Sequence, residues 1–402
     1  MEGGLMSSQA RIPRRRVAAT LGAGVSMLLA LVVGLALTVT SAPADAAPST
    51  AGTVLTAEDI TDRPDAKVAG AGKVIAVTYL SAQSDGRLVP VRATIMIPAV
   101  TAPAGGYRVL AYGHGTAGLG DDCTVTDRMG HQGRYDDWLG PWLKKGYVIA
   151  ATEYAGIGGP GVHAYLDGDV AGKNIIDSVR AARVVTPRYT NSAVSRGFLS
   201  SGGSQGAHAS LWAGHLAPSY APELTNVGVA ATSPPVDIAD YFSVIRPGVP
   251  PVEVPDYVTY FSYVLAGLKV ARPDVDVDSY LTPQGRKVVE DAQTLCYPNQ
   301  GRATKGMSVG QLVARPFNEG PLIPALRSVT SVPEKGYPAP ILVQQGTLDP
   351  VAFAPLTQQW VDRARGNGVT VDLRTYQAGH GVGVYAETNA LAWSQGLNWP
   401  KG

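Results

Sequence analysis

Short apolar runs recur along this chain, separated by stretches in which apolar residues return every three or four positions. Val74–Tyr79 and Val89–Ile97 read as strands, with Ser84-Asp85-Gly86 as the turn between them. Arg108–Tyr112, Tyr147–Glu153 and the run through Phe198 read as three more. Between the last two, Ile175, Ile176, Val179 and Ala182 have helical spacing and predict a crossover helix over Ala171–Val185. A helix-forming segment, Ala207–Leu216, follows the Phe198 run, and Val227–Ala231 is again strand-like. Strands alternating with helices imply an α/β fold with a mostly parallel central sheet and helices on both faces.

The rhythm breaks at Ser233-Pro234-Pro235. Residues from about 235 to 338 are Pro-rich and irregular, with helical patches at Tyr257–Val270 and Gly285–Leu295. Strand patterns then resume at Ile341–Gln345 and Val369–Tyr376. The block reads as an inserted, mainly helical cap; it shows too little regular core pattern for an independent second domain. Its Tyr257–Val270 patch has more apolar residues than one helical stripe holds, so some should face a channel, with Leu265 and Leu268 as candidates. The small, polar stretch from 48 to 66 reads as a loose lead-in.

The N-terminus changes the picture. Arg11, Arg14, Arg15 and Arg16 precede an apolar run from Val17 to about Thr40, and Ala44-Asp45-Ala46 follows. This is the layout of a signal peptide over residues 1–46, cleaved after Ala46, and it predicts a secreted protein; an uncleaved N-terminal membrane anchor is the alternative. With 33 Lys and Arg against 32 Asp and Glu the net charge is only +1, and aromatics are not interleaved with basic residues. A nucleic-acid partner is therefore not expected. The chain has two cysteines, Cys123 and Cys296, for which export makes a disulfide available. No His-x-His or His-Glu-x-x-His spacing and no acid cluster suits a metal, and Gly156–Gly161 lacks a Walker lysine, so no metal or cofactor is expected.

The candidate chemistry centres on Gly202-Gly203-Ser204-Gln205-Gly206, a Gly-x-Ser-x-Gly between a strand and a helix. That is the pattern of a nucleophile elbow, in which a serine sits on a strained turn above a sheet. A serine hydroxyl needs a base, and the base needs an orienting carboxylate. In an α/β-hydrolase these follow in the order Ser, Asp or Glu, His, each just past a strand. Asp349 follows the Ile341 strand and His380 follows the strand ending at Tyr376, so Ser204, Asp349 and His380 form the expected triad. Backbone N–H groups for an oxyanion are expected from Gln205 and from the turn His114-Gly115-Thr116, with the donor among those three left open. Residues 47–402 thus read as one α/β-hydrolase domain. His131, His163, His208 and His215 read as structural or surface residues, with His208 near enough to touch the site.

Gly202–Ala209, continuing through Trp212-Ala213, Ser219–Leu224 and Val227-Gly228, resembles the secretory lipases of the fungal lipase A type. The Tyr112…Cys123 and Leu295–Pro298 stretches look like the places where that family carries a disulfide from the oxyanion loop to the cap. Asp349-Pro350 and Tyr376…His380 fall where its acid and base lie. The resemblance implies a hydrolase of carboxylic esters, triacylglycerols included, with an ester or lipid substrate and transient contact with lipid interfaces. Two departures stand out: the chain ends soon after His380 where the fungal enzymes continue into a flap, and an Asp of their oxyanion loop is replaced by His114 or Gly115. An acyltransferase, a serine peptidase or a short-chain esterase are the alternatives on the same machinery.

Overall fold

The computed structural model describes residues 50–382 and 384–400, so the leader expected over residues 1–46 lies outside it. One sheet holds nine strands: β1 Val54–Asp59, β2 Ala71–Ala82, β3 Leu88–Pro98, β4 Tyr107–Gly113, β5 Tyr147–Thr152, β6 Val194–Gly203, β7 Thr225–Thr232, β8 Ile341–Gly346 and β9 Val371–Tyr376. Their order in space is β1-β2-β3-β5-β4-β6-β7-β8-β9. Pairing is antiparallel from β1 to β5 and parallel from β5 to β9. β1 replaces part of the lead-in expected between residues 48 and 66. It pairs with β2 alone, and its side chains are mostly exposed, which leaves no buried face to mark it in the sequence.

The helices are α1 Gly140–Lys144, α2 Gly168–Thr190, α3 Gln205–Tyr220, α4 Ile238–Ser243, α5 Tyr257–Ala271, α6 Pro283–Asp291, α7 Tyr297–Ala303, α8 Val309–Leu312, α9 Leu322–Thr330, α10 Ala354–Gly366 and α11 Val384–Ser394. Strand side chains alternate between faces, so Val109 and Ala111 of β4 pack under α2 and α3 while Leu110 and Tyr112 pack against α1 and α11. The α10 helix covers β7, β8 and β9 on the α3 side. The long crossover α2 starts where the Asp167 carboxylate accepts from Val170 N–H, and it stops at Asn191, which takes the left-handed conformation.

Helices α4 to α9 lie between β7 and β8. Their irregular sequence pattern hides a shared cluster of buried apolar residues. Phe242, Phe261 and Phe317 stack at centroid distances of 5.9–6.2 Å, and Leu119, Tyr165 and Leu166 join them from the loops after β4 and β5. Burying each phenylalanine contributes about 1.5–3 kcal/mol. Most of these helices are under ten residues long, too short for a period to show in the sequence.

Candidate active site

Ser204 sits between the last residue of β6 and the first of α3, with φ 54° and ψ −120°. A side chain in that region costs of order 1–3 kcal/mol, held here by the structure around it. The turn closes because Gly202 and Gly206 have no Cβ: one on Gly202 would lie 2.4 Å from the Gly113 carbonyl oxygen, and one on Gly206 only 1.9 Å from it. Ser204 N–H donates to Thr232 O of β7 at 2.9 Å, which anchors the elbow to the sheet. The first N–H groups of α3, Gln205 included, have no acceptor within the helix and form its positive end.

The acid and base loops are stitched together. Thr347 N–H donates to Tyr376 O at 2.8 Å, and Leu348 N–H to Ala378 O at 3.0 Å. These bonds bring Asp349, at the end of β8, beside His380, past the end of β9. His380 Nδ1 lies 2.9 Å from Asp349 Oδ2 and 3.1 Å from Oδ1. Burial pushes the Asp349 carboxyl up, but His380 and the N–H groups of Ala352 and Val351 outweigh it and hold the acid below its usual value. An acceptor held ionised at Nδ1 leaves Nε2 of His380 as the atom that can take a proton.

Ser204 stands where two cavities meet. One, of about 410 Å³, is a groove lined by Gly115, Thr116, Arg128, Arg134, Tyr135, Tyr297 and His380. The other, of about 350 Å³, is apolar and lined by Tyr165, Ile238, Phe242, Tyr257, Phe261, Val264 and Val351. Tyr260 borders both. Of the expected channel residues on α5, Tyr257, Tyr260, Phe261 and Val264 line the cavity, whereas Leu265 and Leu268 are buried in the core of the α4–α9 segment. Val244, Val252 and Phe353 also line the apolar cavity and are exposed.

In the turn after β4 the structure brings Gly115 and Thr116 to the groove, while the His114 side chain is fully buried behind it. Its Nδ1 lies 2.7 Å from Gly115 O, and its Nε2 lies 3.4 Å from Glu153 Oε2, an ion-pair contact longer than a hydrogen bond. Glu153 was read only as the end of a strand. Gln205 is held by a histidine assigned no role in the sequence: His163 Nδ1–H donates to Ala155 O, and its Nε2 accepts from Gln205 Nε2–H at 2.8 Å. Burial drives the His163 imidazole down to about 4, so it is neutral and can accept. His208 borders neither cavity; its Nε2–H donates to Thr330 O and ties α3 to α9. Cys123 and Cys296 form a disulfide between the groove wall after β4 and the start of α7, beside a bridge pairing Gly118 with Cys296. Among the described residues no group of three or more His, Cys, Asp or Glu could hold a metal ion, and no helix is long and apolar enough to cross a membrane.

Residues 133–318, somewhat under half of the chain, match the profile of a family described as secretory lipase. That stretch contains Ser204 and most of the α4–α9 segment but neither Asp349 nor His380. The chain is 28% identical over 200 residues to a protein named Lipase A from Moesziomyces aphidis. That alignment covers 48% of this chain and 40% of the relative, so the chain spans about two fifths of the length of the curated relative it matches. Among solved structures it is similar to Candida antarctica lipase A in its closed state, with TM-score 0.65 and 22% identity over 83% of this chain and 78% of that one. It is also similar to the rice cell wall degrading esterase LipA from Xanthomonas oryzae, with TM-score 0.72 and 19% identity over 87% and 98%. The fold is that of the α/β-hydrolases, and over residues 133–318 the chain is similar to the secretory lipases.

Proposed function

We propose that this protein is an exported serine hydrolase that cleaves carboxylic esters of medium-length acyl groups through Ser204, His380 and Asp349. The observation that carries this reading is the position of Ser204, strained on its elbow, at the junction of an apolar cavity and a groove that His380 borders. His380 Nε2 takes the proton from Ser204 Oγ as the hydroxyl attacks the ester carbonyl, and Asp349 stabilises the imidazolium through Nδ1–H. The oxyanion is met by Gln205 N–H and by an N–H of the 114–116 turn. The leaving alkoxide must receive its proton from His380, so it departs through the groove, and the acyl group remains in the apolar cavity. Water then enters by the groove and attacks the acyl carbon as it gives a proton to His380, which passes that proton to Ser204 Oγ as the acid is released.

A cavity of about 350 Å³ with an apolar lining is the size of a small-ligand site and has room for an acyl chain. This supports an acyl chain well beyond acetate, and it favours a lipase or long-chain esterase over a peptidase. The exposed Val244, Val252 and Phe353 supply an apolar rim for transient contact with a lipid interface. In this reading the α4–α9 segment is the cap, at about residues 235–338, and residues 1–46 are the leader that directs export; the disulfide fits an oxidising compartment.

A fluorophosphonate probe should label the protein at Ser204, and Ser204→Ala should lose both label and activity. Rates on p-nitrophenyl esters should rise from acetate to about decanoate and then level. A protein that neither labels nor turns over esters is no serine hydrolase. Rates that fall steadily from acetate leave a short-chain esterase.

A further inference from the structure

We propose that His114 and Glu153 are a buried positioning pair that sets the second oxyanion donor, the backbone N–H of Thr116; this rests on the reading of Ser204 as the nucleophile. The sheet itself brings the two together. Gly113 of β4 and Thr152 of β5 are partners in register, so His114 and Glu153, the next residue on each strand, emerge side by side. Both side chains are only about 1% exposed.

Hydrogen-bond roles fix the protons. Gly115 O can only accept, so His114 Nδ1, 2.7 Å away, carries a proton. Glu153 accepts from Val125 N–H at 2.9 and 3.1 Å and from Thr126 N–H at 2.5 Å, which holds it as a carboxylate. His114 Nε2 faces that carboxylate at 3.4 Å, and a bare nitrogen lone pair there would meet negative charge. His114 is therefore an imidazolium. Burial alone would lower its basicity, but Glu153 outweighs burial and raises it. The other groups facing it are aromatic or neutral: the Tyr154 ring lies 4.8 Å away and its hydroxyl donates to His114 O, and neutral His163 stacks beyond Tyr154. Arg134 and Tyr135 stand on the groove side.

The imidazolium pins one carbonyl, and the peptide geometry does the rest. In a trans peptide the C=O and the following N–H point in opposite directions. With Gly115 C=O drawn to buried His114, Thr116 N–H is turned the other way, toward the groove that Thr116 and Ser204 share. The Thr116 hydroxyl, 2.6 Å from Tyr165 OH, holds the residue from its far side. The donor left open among His114, Gly115 and Thr116 is thus assigned to Thr116, with His114 acting through it.

Three measurements on the full chain test this. In the unmodified protein, ring ¹⁵N shifts of His114 should show both nitrogens still protonated at a pH where an ordinary histidine is already neutral; a bare Nε2 that appears at the ordinary histidine titration overturns the pair. His114→Asn places an amide N–H near the position of Nδ1 and should keep much of the rate. His114→Gln and His114→Leu lack a donor there, and their kcat should drop on the order of 100-fold or more with KM nearly unchanged. Affinity for a boronic acid, which forms a tetrahedral adduct on Ser204, should fall in parallel. Equal rates for the Asn and Gln variants, at matched thermal stability, would reduce His114 to a packing residue. Glu153→Gln frees the imidazole to take the other tautomer and should introduce a basic limb near neutral pH in kcat; an unchanged profile counts against the proposal. Labelling of Ser204 by fluorophosphonate separates the outcomes: without it the nucleophile assignment itself fails, and with it only the positioning pair is at stake.

Discussion

Replacing Glu387 by Gln should remove one pH-dependent component of this protein's stability. Glu387 lies in the first turn of α11, about 1% exposed, where Trp142 Nε1–H donates to its Oε2 at 3.2 Å. Among the described residues no cation pairs with it, and burial pushes its carboxyl from the usual 4.5 up to about 7. The folded protein thus keeps a proton that the unfolded chain has already released. Stability from this group is complete below about pH 4.5, falls as pH rises toward 7, and is flat above. At about 1.4 kcal/mol per pH unit, charging Glu387 costs the native state roughly 3 kcal/mol by pH 8. Glutamine has the shape of the protonated acid, can accept the indole N–H, and never ionises. Its extra amide hydrogen adds a penalty of about 1–3 kcal/mol, but that penalty is the same at every pH. The stability difference between variant and native protein should therefore swing by roughly 3 kcal/mol in glutamine's favour between pH 4 and pH 8. Urea unfolding followed by tryptophan fluorescence at the two pH values measures it. A difference that does not change with pH, or that swings the other way, would refute the buried-acid account.

Asp349→Asn should lower kcat by about 10⁴-fold and Ser204→Ala by more, since the carboxylate only orients and stabilises His380; ester turnover with intact circular dichroism checks both. Thiol titration of the denatured, unreduced protein should find no free thiol, and replacing Cys123 and Cys296 by Ser should cost up to about 5 kcal/mol, the chain-entropy value for a sequence separation of 173. Val264→Asn, at a position that lines the apolar cavity as well as the α4–α9 core, should depress turnover of decanoate esters more than of acetate; Leu265→Asn, in the core alone, should lower the melting temperature without changing the chain-length preference. Gly206→Ala, whose Cβ would press on Gly113 O, should displace the nucleophile and cost 100-fold or more in kcat.

The candidate triad was legible because each member follows a strand whose own signal is strong. β6 and β8 are almost wholly buried, β9 alternates Val371 and Leu373 with Asp372 and Arg374, and Ser204, Asp349 and His380 follow within four residues of their ends. The disulfide partners were legible because the chain has two cysteines, in stretches that resemble the places where the secretory lipases carry a disulfide. What escaped was information carried by pairing. Glu153 looks like any polar residue at a strand end until the register of β4 on β5 sets it against His114. β1, Val54–Asp59, escaped because an edge strand exposed on most positions shows no apolar alternation. On α5 the apolar residues run round the whole helix, so no periodicity separates Val264, facing the cavity, from Leu265, facing the core.

The Cys123–Cys296 bond also divides the chain topologically. It closes a covalent ring that runs through β5, α2, β6, α3, β7 and the first helices of the α4–α9 segment, and Ser204 is inside it. Asp349 and His380 are outside, on an open tail whose two strands, β8 and β9, occupy one edge of the sheet. Nothing covalent restrains that tail beyond its single point of departure from the ring, so it can peel away when the protein is heated. Detachment of β9 from β8 alone would carry His380 off while leaving the ring, the elbow and the apolar cavity intact. Thermal inactivation should accordingly precede the loss of structure around Ser204, and cooling before the ring itself opens should restore activity without any reshuffling of bonds.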